Sequence, residues 1–284
     1  MITPLLNPLP TGEREKVRAA LSRAAARFTF SPTPRLDAEL LMAHALGVTR
    51  EALLLKRLDD PAPPAFSELA DRRAAHEPVA YITGVRAFWT IELSVGPGVL
   101  VPRADSETLI EAAVEHFGDC APRMVLDLGT GSGALLLAAL DQWREATGVG
   151  VDRSREAAAT ARGNVRRLGM EARAGIVEGG WNAAAGAFDL VLCNPPYIAV
   201  DEALPREVAD YEPASALFAG PDGLDDYRAL APVIAARLAP GGVACVEIGA
   251  TQGETAAAPF RAEGLKVAVR PDLGGRNRCL VITP

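Results

Sequence analysis

The tetrapeptide Asn194-Pro195-Pro196-Tyr197 directly follows the apolar run Phe188-Asp189-Leu190-Val191-Leu192-Cys193. That run has the length and apolar character of a buried, central strand. Two prolines remove two backbone donors, so a ladder cannot continue past Cys193. Asn194, as the residue before a proline, is pushed towards extended backbone. A rigid turn at the carboxyl edge of a sheet lies where open α/β folds bind ligands. This one presents a planar amide, carbonyls with no competing N–H, and an aromatic ring. Those groups suit a flat –NH2 group: the Asn194 side-chain oxygen and the Pro195 carbonyl each accept one hydrogen, and Tyr197 packs against the π-face. An isolated Asn-Pro is an ordinary strand-ending turn; the full tetrapeptide in this position favours the receptor.

A receptor for nitrogen needs a partner that supplies an electrophile. Met124-Val125-Leu126-Asp127-Leu128 is followed by Gly129-Thr130-Gly131-Ser132-Gly133 and then by Ala134-Leu135-Leu136-Leu137-Ala138-Ala139-Leu140. Strand, glycine turn and helix come in the order a nucleotide-type cofactor requires. Gly129-x-Gly131-x-x-Ala134 also satisfies the dinucleotide fingerprint, so the loop alone leaves NAD open. The next strand, Gly148-Val149-Gly150-Val151-Asp152, ends in an acid about 20 residues on, placed for ribose hydroxyls with either cofactor. As an alternative, Asp152 caps a helix or turns the strand end. A nicotinamide enzyme needs a hydride site with a proton-handling side chain. An amide-gripping turn beside the glycine loop instead suits methyl transfer to nitrogen, which implies S-adenosyl-L-methionine as cofactor.

Further stretches narrow the reading. Glu77-Pro78-Val79-Ala80-Tyr81-Ile82-Thr83-Gly84 leads into Phe88-Trp89, and Val101-Pro102-Arg103-Ala104-Asp105-Ser106-Glu107 follows. Later come Tyr211-Glu212-Pro213, Gly220-Pro221-Asp222-Gly223-Leu224-Asp225 and Asp272-Leu273-Gly274-Gly275-Arg276. From about residue 30 to the C-terminus the chain resembles the peptide chain release factor glutamine methyltransferases, the HemK family of class I methyltransferases. It departs from the family pattern at Ala104 and Ser106, where a second Pro and a Thr are common. It departs again at Gly180-Trp181, where an acid often precedes the aromatic and where the adenine amine would need an acceptor. The resemblance implies methyl transfer to the side-chain amide nitrogen of the glutamine in the Gly-Gly-Gln motif of release factors.

Composition agrees with a cytoplasmic enzyme. No segment of this 284-residue chain approaches the roughly 18 consecutive apolar residues of a membrane span, and Met1 to Pro10 lacks the basic start of a signal peptide. Cys120, Cys193, Cys245 and Cys279 lie far apart and read as buried free thiols, without metal or disulfide spacing. The three histidines are scattered, and no metal is expected. Net charge is −7; residues 1–80 carry 11 basic and 10 acidic side chains, the remainder 18 and 26. An acidic catalytic part is a poor match for direct nucleic-acid binding, which phosphate contacts dominate. A monomer is expected.

The elements that must position these residues follow from periodicity. Helical spacing covers Glu13 to Phe28, Arg35 to Leu46, Arg50 to Leu58 and Ala65 to His76, a small bundle broken at Pro61-x-Pro63-Pro64. Trp89 to Val95 alternates as a half-buried strand between Gly84 and Gly96-Pro97-Gly98, giving a hairpin. After a helix from Ser106, strands are expected at 124–128, 148–152, 173–178, 188–193, 243–248, 265–270 and 278–283, the last two as an antiparallel hairpin. The predicted fold is α/β: a seven-stranded, doubly wound methyltransferase sheet with a small N-terminal helical bundle and a β-hairpin linker. Residues 1–80 form a helical substrate-recognition domain, 81–104 the linker, and 105–284 the S-adenosylmethionine-dependent domain.

Site roles complete the expectation. Asn194, Pro195 and Tyr197 are catalytic by gripping the amide, with Pro196 completing the substrate turn and no general base assigned. Gly129, Thr130, Gly131, Ser132, Gly133, Asp152, Trp181 over the adenine ring and Asn194 hold the cofactor. Arg103 and Glu107 shape the cofactor mouth or the hairpin junction, or form a structural ion pair. Tyr211-Glu212-Pro213 and Gly220–Gly223 form a mobile lid. The rival readings are glutamine methylation of a ribosomal protein, adenine methylation of nucleic acid with a flipped base, and an inactive adaptor that keeps the fold.

Overall fold

The computed structural model describes residues 15–284, so the expectation for Met1 to Pro10 and the start of the first helix lie outside the described residues. The chain divides into two units, one ending at Thr83 and one running from Gly84 to Pro284.

The first unit is a helical bundle of α1 (Val17–Ala25), α2 (Pro34–Leu46), α3 (Arg50–Lys56), α4 (Ala65–Ala74) and α5 (Val79–Thr83). α1 buries Val17, Ala20, Leu21 and Ala24, one helical stripe. α2 starts with Pro34 in its first turn and stops at Gly47, whose left-handed backbone (φ 64°) closes the helix. Phe28, Leu41, Met42, Leu53 and Phe66 form the core. One ion pair is buried with them: the Arg73 guanidinium lies 2.8 Å from Asp37. The short α5 was not expected; it follows Pro78, whose carbonyl accepts from Tyr81 N and Ile82 N.

The second unit opens with β1 (Val85–Phe88) and β2 (Ile91–Ser94), an antiparallel hairpin. Trp89, expected inside a strand, occupies the turn with φ 53°, its backbone N–H donating to Glu107 Oε1 at 2.9 Å. The hairpin is fastened to the rest of its unit: Ser94 N donates to Asn164 Oδ1 (2.8 Å), Thr90 Oγ1 to Asp141 (2.6 Å), and Arg167 pairs with Glu92. After a single 3-10 turn at Ala104–Ser106 come α6 (Glu107–Phe117), β3 (Met124–Leu128), α7 (Ala134–Gln142), β4 (Thr147–Asp152), α8 (Arg155–Arg167), β5 (Ala174–Glu178) and β6 (Phe188–Cys193). Then follow α9 (Arg206–Ala209), α10 (Asp225–Arg237), β7 (Leu238–Glu247), α11 (Gly253–Ala262), β8 (Lys266–Pro271) and β9 (Asn277–Thr283).

The sheet order is β5-β4-β3-β6-β7-β9-β8, with β9 antiparallel to both of its neighbours. All seven expected strands are present. β7 begins earlier than expected because Leu238 pairs with Phe188 ahead of a register shift. The chain steps outward from β3 to β4 and β5, then returns to β6 on the opposite side. The gap between the carboxyl ends of β3 and β6 is therefore the topological switch point. Of the four cysteines, Cys120 is exposed, against expectation, because it lies in the turn after α6. Among the described residues no helix is long and apolar enough to cross a membrane.

Asp127 fixes the turn after β3. Its Oδ2 accepts from Thr130 Oγ1 at 2.6 Å and from Leu136 N at 3.2 Å. Thr130 reaches this position through the space left by Gly150, where a Cβ would lie 2.6 Å from Thr130 Oγ1. Burial pushes the Asp127 carboxyl up to about 7, against the pull of those two hydrogen bonds.

Two outcomes follow from this anchor. Gly150→Ala should lower unfolding free energy by about 1–3 kcal/mol through overpacking, measured by urea denaturation. The folded protein binds the Asp127 proton more tightly than the unfolded chain, whose carboxyl titrates near the ordinary value of about 3.9. Its stabilising effect is thus complete below that pH and is lost as pH rises to about 7. The stability of wild type relative to Asp127→Asn should fall across this window by up to about 4 kcal/mol. A difference that stays level, or rises with pH, would contradict the buried-acid assignment.

Candidate active site

Parallel pairing of β3 with β6 sets Leu128 opposite Cys193. The next residues on the two strands are Gly129 and Asn194, so the glycine turn and the tetrapeptide leave the sheet side by side. A cavity of about 260 Å³ opens there. The register of two central strands therefore brings together the two motifs that stand 65 positions apart in the sequence.

The glycine turn is held by its neighbour strand. Gly129 N and Thr130 N both donate to Val151 O (2.8 and 2.9 Å), and Gly133 N donates to Thr130 O at 2.7 Å. Gly129, Gly131 and Gly133 take φ values of 73°, 57° and 86°. At Gly129 a Cβ would also press the Trp181 ring at 3.2 Å. Gly129, Thr130, Gly131 and Ser132 line the cavity, while Gly133 stands behind them, opening α7.

Asp152 also lines the cavity. Its Oδ2 accepts from Gly131 N and its Oδ1 from Ser154 N, both at 2.8 Å. It thus ties the glycine turn to the start of α8, while each oxygen keeps further lone-pair capacity. Trp181 and Gly180 line the same cavity. A Cβ at Gly180 would meet nothing within 4 Å, so the missing acid leaves open space.

Of the tetrapeptide, Asn194 and Pro196 line the cavity. Pro195 is buried. Tyr197 packs against the main core, and its hydroxyl donates to Glu247 Oε1 at 3.2 Å. Burial and the facing Glu247 carboxylate push the Tyr197 hydroxyl well above its ordinary range. The Tyr197 carbonyl accepts from Gln252 Nε2 at 2.9 Å. Asn194 Nδ2 donates to Ser106 Oγ at 3.1 Å, and Ser106 Oγ donates to Glu247 Oε2 at 2.5 Å. Glu247 is only 1% exposed. Burial raises its pKa, opposed by Ser106, the Arg278 charge and Tyr197.

Ser106, Glu247 and Gln252 carry this turn; the sequence reading named Ser106 only as a departure from the family pattern, without linking it to the turn, and did not name the other two. Glu247 had a signal: it is a lone acid after the apolar run Val243-Ala244-Cys245-Val246, at the sheet edge where ligands bind. Ser106 keeps a hydroxyl at the position where the family commonly has Thr. Arg103 and Glu107, grouped in the sequence reading, separate. Glu107 holds the hairpin turn, and Arg103 pairs with the buried side chain of Glu212 at 2.6 Å. The expected lid is strapped down. Besides that pair, Arg153 donates to Ser215 O (2.7 Å), Ile198 N to Leu217 O (3.0 Å) and Ala219 N to Ile198 O (2.9 Å). Among the described residues, no group of three or more His, Cys, Asp or Glu side chains is placed to hold a metal.

Comparison with known proteins gives the same outline. The family described as the PrmC N-terminal domain matches residues 19–84, and the family described as the methyltransferase small domain matches residues 104–209. A methyltransferase from Pyrococcus furiosus superposes with a TM-score of 0.52 at 18% identity, over 76% of this chain and 97% of that one, a likeness of fold. The release factor glutamine methyltransferase of Caulobacter vibrioides is 40% identical over 256 residues, covering 87% of this chain and 89% of that protein. That of Rhodospirillum rubrum is 44% identical over 255 residues, covering 87% of this chain and 78% of its relative. At such identity over most of both chains, the protein belongs to the release factor glutamine methyltransferase family.

Proposed function

We propose that this enzyme transfers a methyl group from S-adenosyl-L-methionine to the side-chain amide nitrogen of the glutamine in the Gly-Gly-Gln motif of peptide chain release factors, in the cytoplasm. The observation that carries the reading is the orientation of Asn194: with Nδ2 turned to Ser106, Oδ1 is left as the acceptor in a cavity that the glycine turn also lines.

The chain's residues fit the cofactor. The three positive-φ glycines in the strand-to-helix turn between β3 and α7 present backbone to a ligand at close range. Asp152 stands at the end of the adjacent strand for the ribose hydroxyls, and Trp181 offers a ring to the adenine. When bound, S-adenosylmethionine supplies a methyl carbon made electrophilic by its sulfonium.

A glutamine amide is a poor nucleophile because its nitrogen lone pair is delocalised into the carbonyl. The enzyme's own contribution is therefore alignment and electrostatics. Asn194 Oδ1 and the Pro195 carbonyl accept the two N–H hydrogens, hold the amide plane, and stabilise positive charge that develops on nitrogen. Pro196 keeps the turn rigid, and Tyr197 braces it through Glu247 and the core. No side chain takes a proton before attack. The helical bundle of residues 1–80 positions the protein substrate, since a glutamine side chain is too small a handle to align a large partner. The acidic second unit, with 26 acids against 18 basic residues from position 81 onward, supports a protein substrate over nucleic acid.

Mass spectrometry of a release factor incubated with enzyme and cofactor should show one added methyl on the glutamine of Gly-Gly-Gln; transfer to a ribosomal protein alone would shift the substrate assignment. Asn194→Ala should leave cofactor affinity measurable by calorimetry while raising the barrier by about 2–4 kcal/mol, comparable to losing an oxyanion-hole donor. Turnover within about twofold of wild type, less than 0.5 kcal/mol, would remove the amide grip from this residue.

A further inference from the structure

We propose that Glu247 is a positioning residue that sets the polarity of the Asn194 amide, so that its oxygen faces the substrate and its –NH2 does not. The proposal rests on the amide-methylation reading above and deepens it.

The two ends of an Asn side chain are nearly the same shape but opposite in hydrogen-bonding sense. With the amide reversed, Asn194 would present two N–H hydrogens to an incoming –NH2 group and repel it. Ser106 alone cannot choose between the orientations, because a hydroxyl both donates and accepts. An ionised carboxylate only accepts. The 2.5 Å bond to Glu247 Oε2 therefore commits the Ser106 proton, and Ser106 Oγ can then only accept from its other neighbour. Asn194 can satisfy it only with Nδ2, at the observed 3.1 Å. The second oxygen of Glu247 is committed in the same sense by the Tyr197 hydroxyl.

Position explains why this acid can do so. Val246 pairs with Cys193 across β6 and β7, so Glu247 sits level with Asn194 on the neighbouring strand. The groups facing Glu247 are Ser106 and Asp105 from the 3-10 turn, Tyr197 and Cys193 from β6 and its loop, Tyr227 from α10, and Cys279 and Arg278 from β9. Arg278 is the cation among them, and it also pairs with Asp105 at 3.0 Å. A protonated Glu247 could donate to Ser106, releasing the Ser106 proton towards Asn194 and reversing the chain.

Glu247→Gln restores the ambiguity without changing shape, because its amide can donate to Ser106. With intact enzyme and full-length release factor, this variant should lose roughly 10- to 100-fold in kcat. KM and cofactor affinity by calorimetry should stay within about threefold of wild type, less than 1 kcal/mol. The acid limb of the wild-type kcat–pH profile should be absent from the variant. Ser106→Ala should show the same loss in kcat, and Ser106→Thr, which keeps the hydroxyl, should rescue most of it. Undiminished kcat in Glu247→Gln, or equal losses in Ser106→Ala and Ser106→Thr, would overturn the proposal. So would a loss in kcat matched by loss of cofactor affinity, which would mark Glu247 as a support of the fold. If Glu247→Gln fails to fold, the Ser106 pair decides alone. A wild-type enzyme that methylates no glutamine would overturn the functional reading itself, whereas an active wild type with an equally active Glu247→Gln overturns only the role of Glu247.

Discussion

Parallel pairing between the two central strands is the constraint on which the site depends. Leu128 and Cys193 stand opposite each other, and both strands are interrupted at the next residue, one by glycine and one by Asn-Pro-Pro. Slipping this pairing by one residue would turn every side chain on the strand to the other face. It would also separate the glycine turn from the tetrapeptide. The pairing is secured by burial on both faces: Val125, Leu126, Leu128, Leu190, Val191, Leu192 and Cys193 are all at most 1% exposed. The chemistry is thus registered by hydrophobic packing.

Two acids interrupt that packing, and each organises one side of the cavity. Asp127 lies within β3 and holds the glycine turn through Thr130 and the start of α7. Glu247 ends β7 and holds the tetrapeptide through Ser106 and Tyr197. Burial alone disfavours both carboxylates, and the raised pKa of each has burial as its largest cause. A buried polar group of this kind destabilises the fold unless its hydrogen bonds are made. Their presence on both sides of one cavity is better explained by the geometry they impose than by stability they add.

The strands, the central place of β6 and both motifs were legible in the sequence because each rests on local chemistry: apolar runs, glycines, prolines. The seven sheet strands fall where periodicity placed them, with β7 extended by a pairing at Leu238 that no local pattern announces. Trp89 misled because the alternation begins at it, while the hairpin turns there, its N–H donating to Glu107 18 residues away. Arg103 could not be matched to Glu212, or Ser106 to Glu247, since their partners lie 109 and 141 residues on. The motif residues were visible; the residues that aim them were not, because aiming is a tertiary property.

The two acceptors proposed for the tetrapeptide differ in kind, and each needs its own means of fixation. The Pro195 carbonyl belongs to the backbone, and the flanking proline rings restrict its rotation covalently. The Asn194 oxygen belongs to a side chain whose terminal torsion is broad and whose two ends differ little in size. Proline can do nothing for that torsion. Fixing it requires a partner of definite hydrogen-bonding sense, itself held by a group that cannot reverse, in a place where water cannot compete. A hydroxyl backed by a carboxylate at 1% exposure meets all three conditions. The same reasoning explains why Tyr197 turns its hydroxyl to Glu247 and not to the cavity. By occupying the second carboxylate oxygen it braces the far end of the turn against the same fixed group that aims the near end.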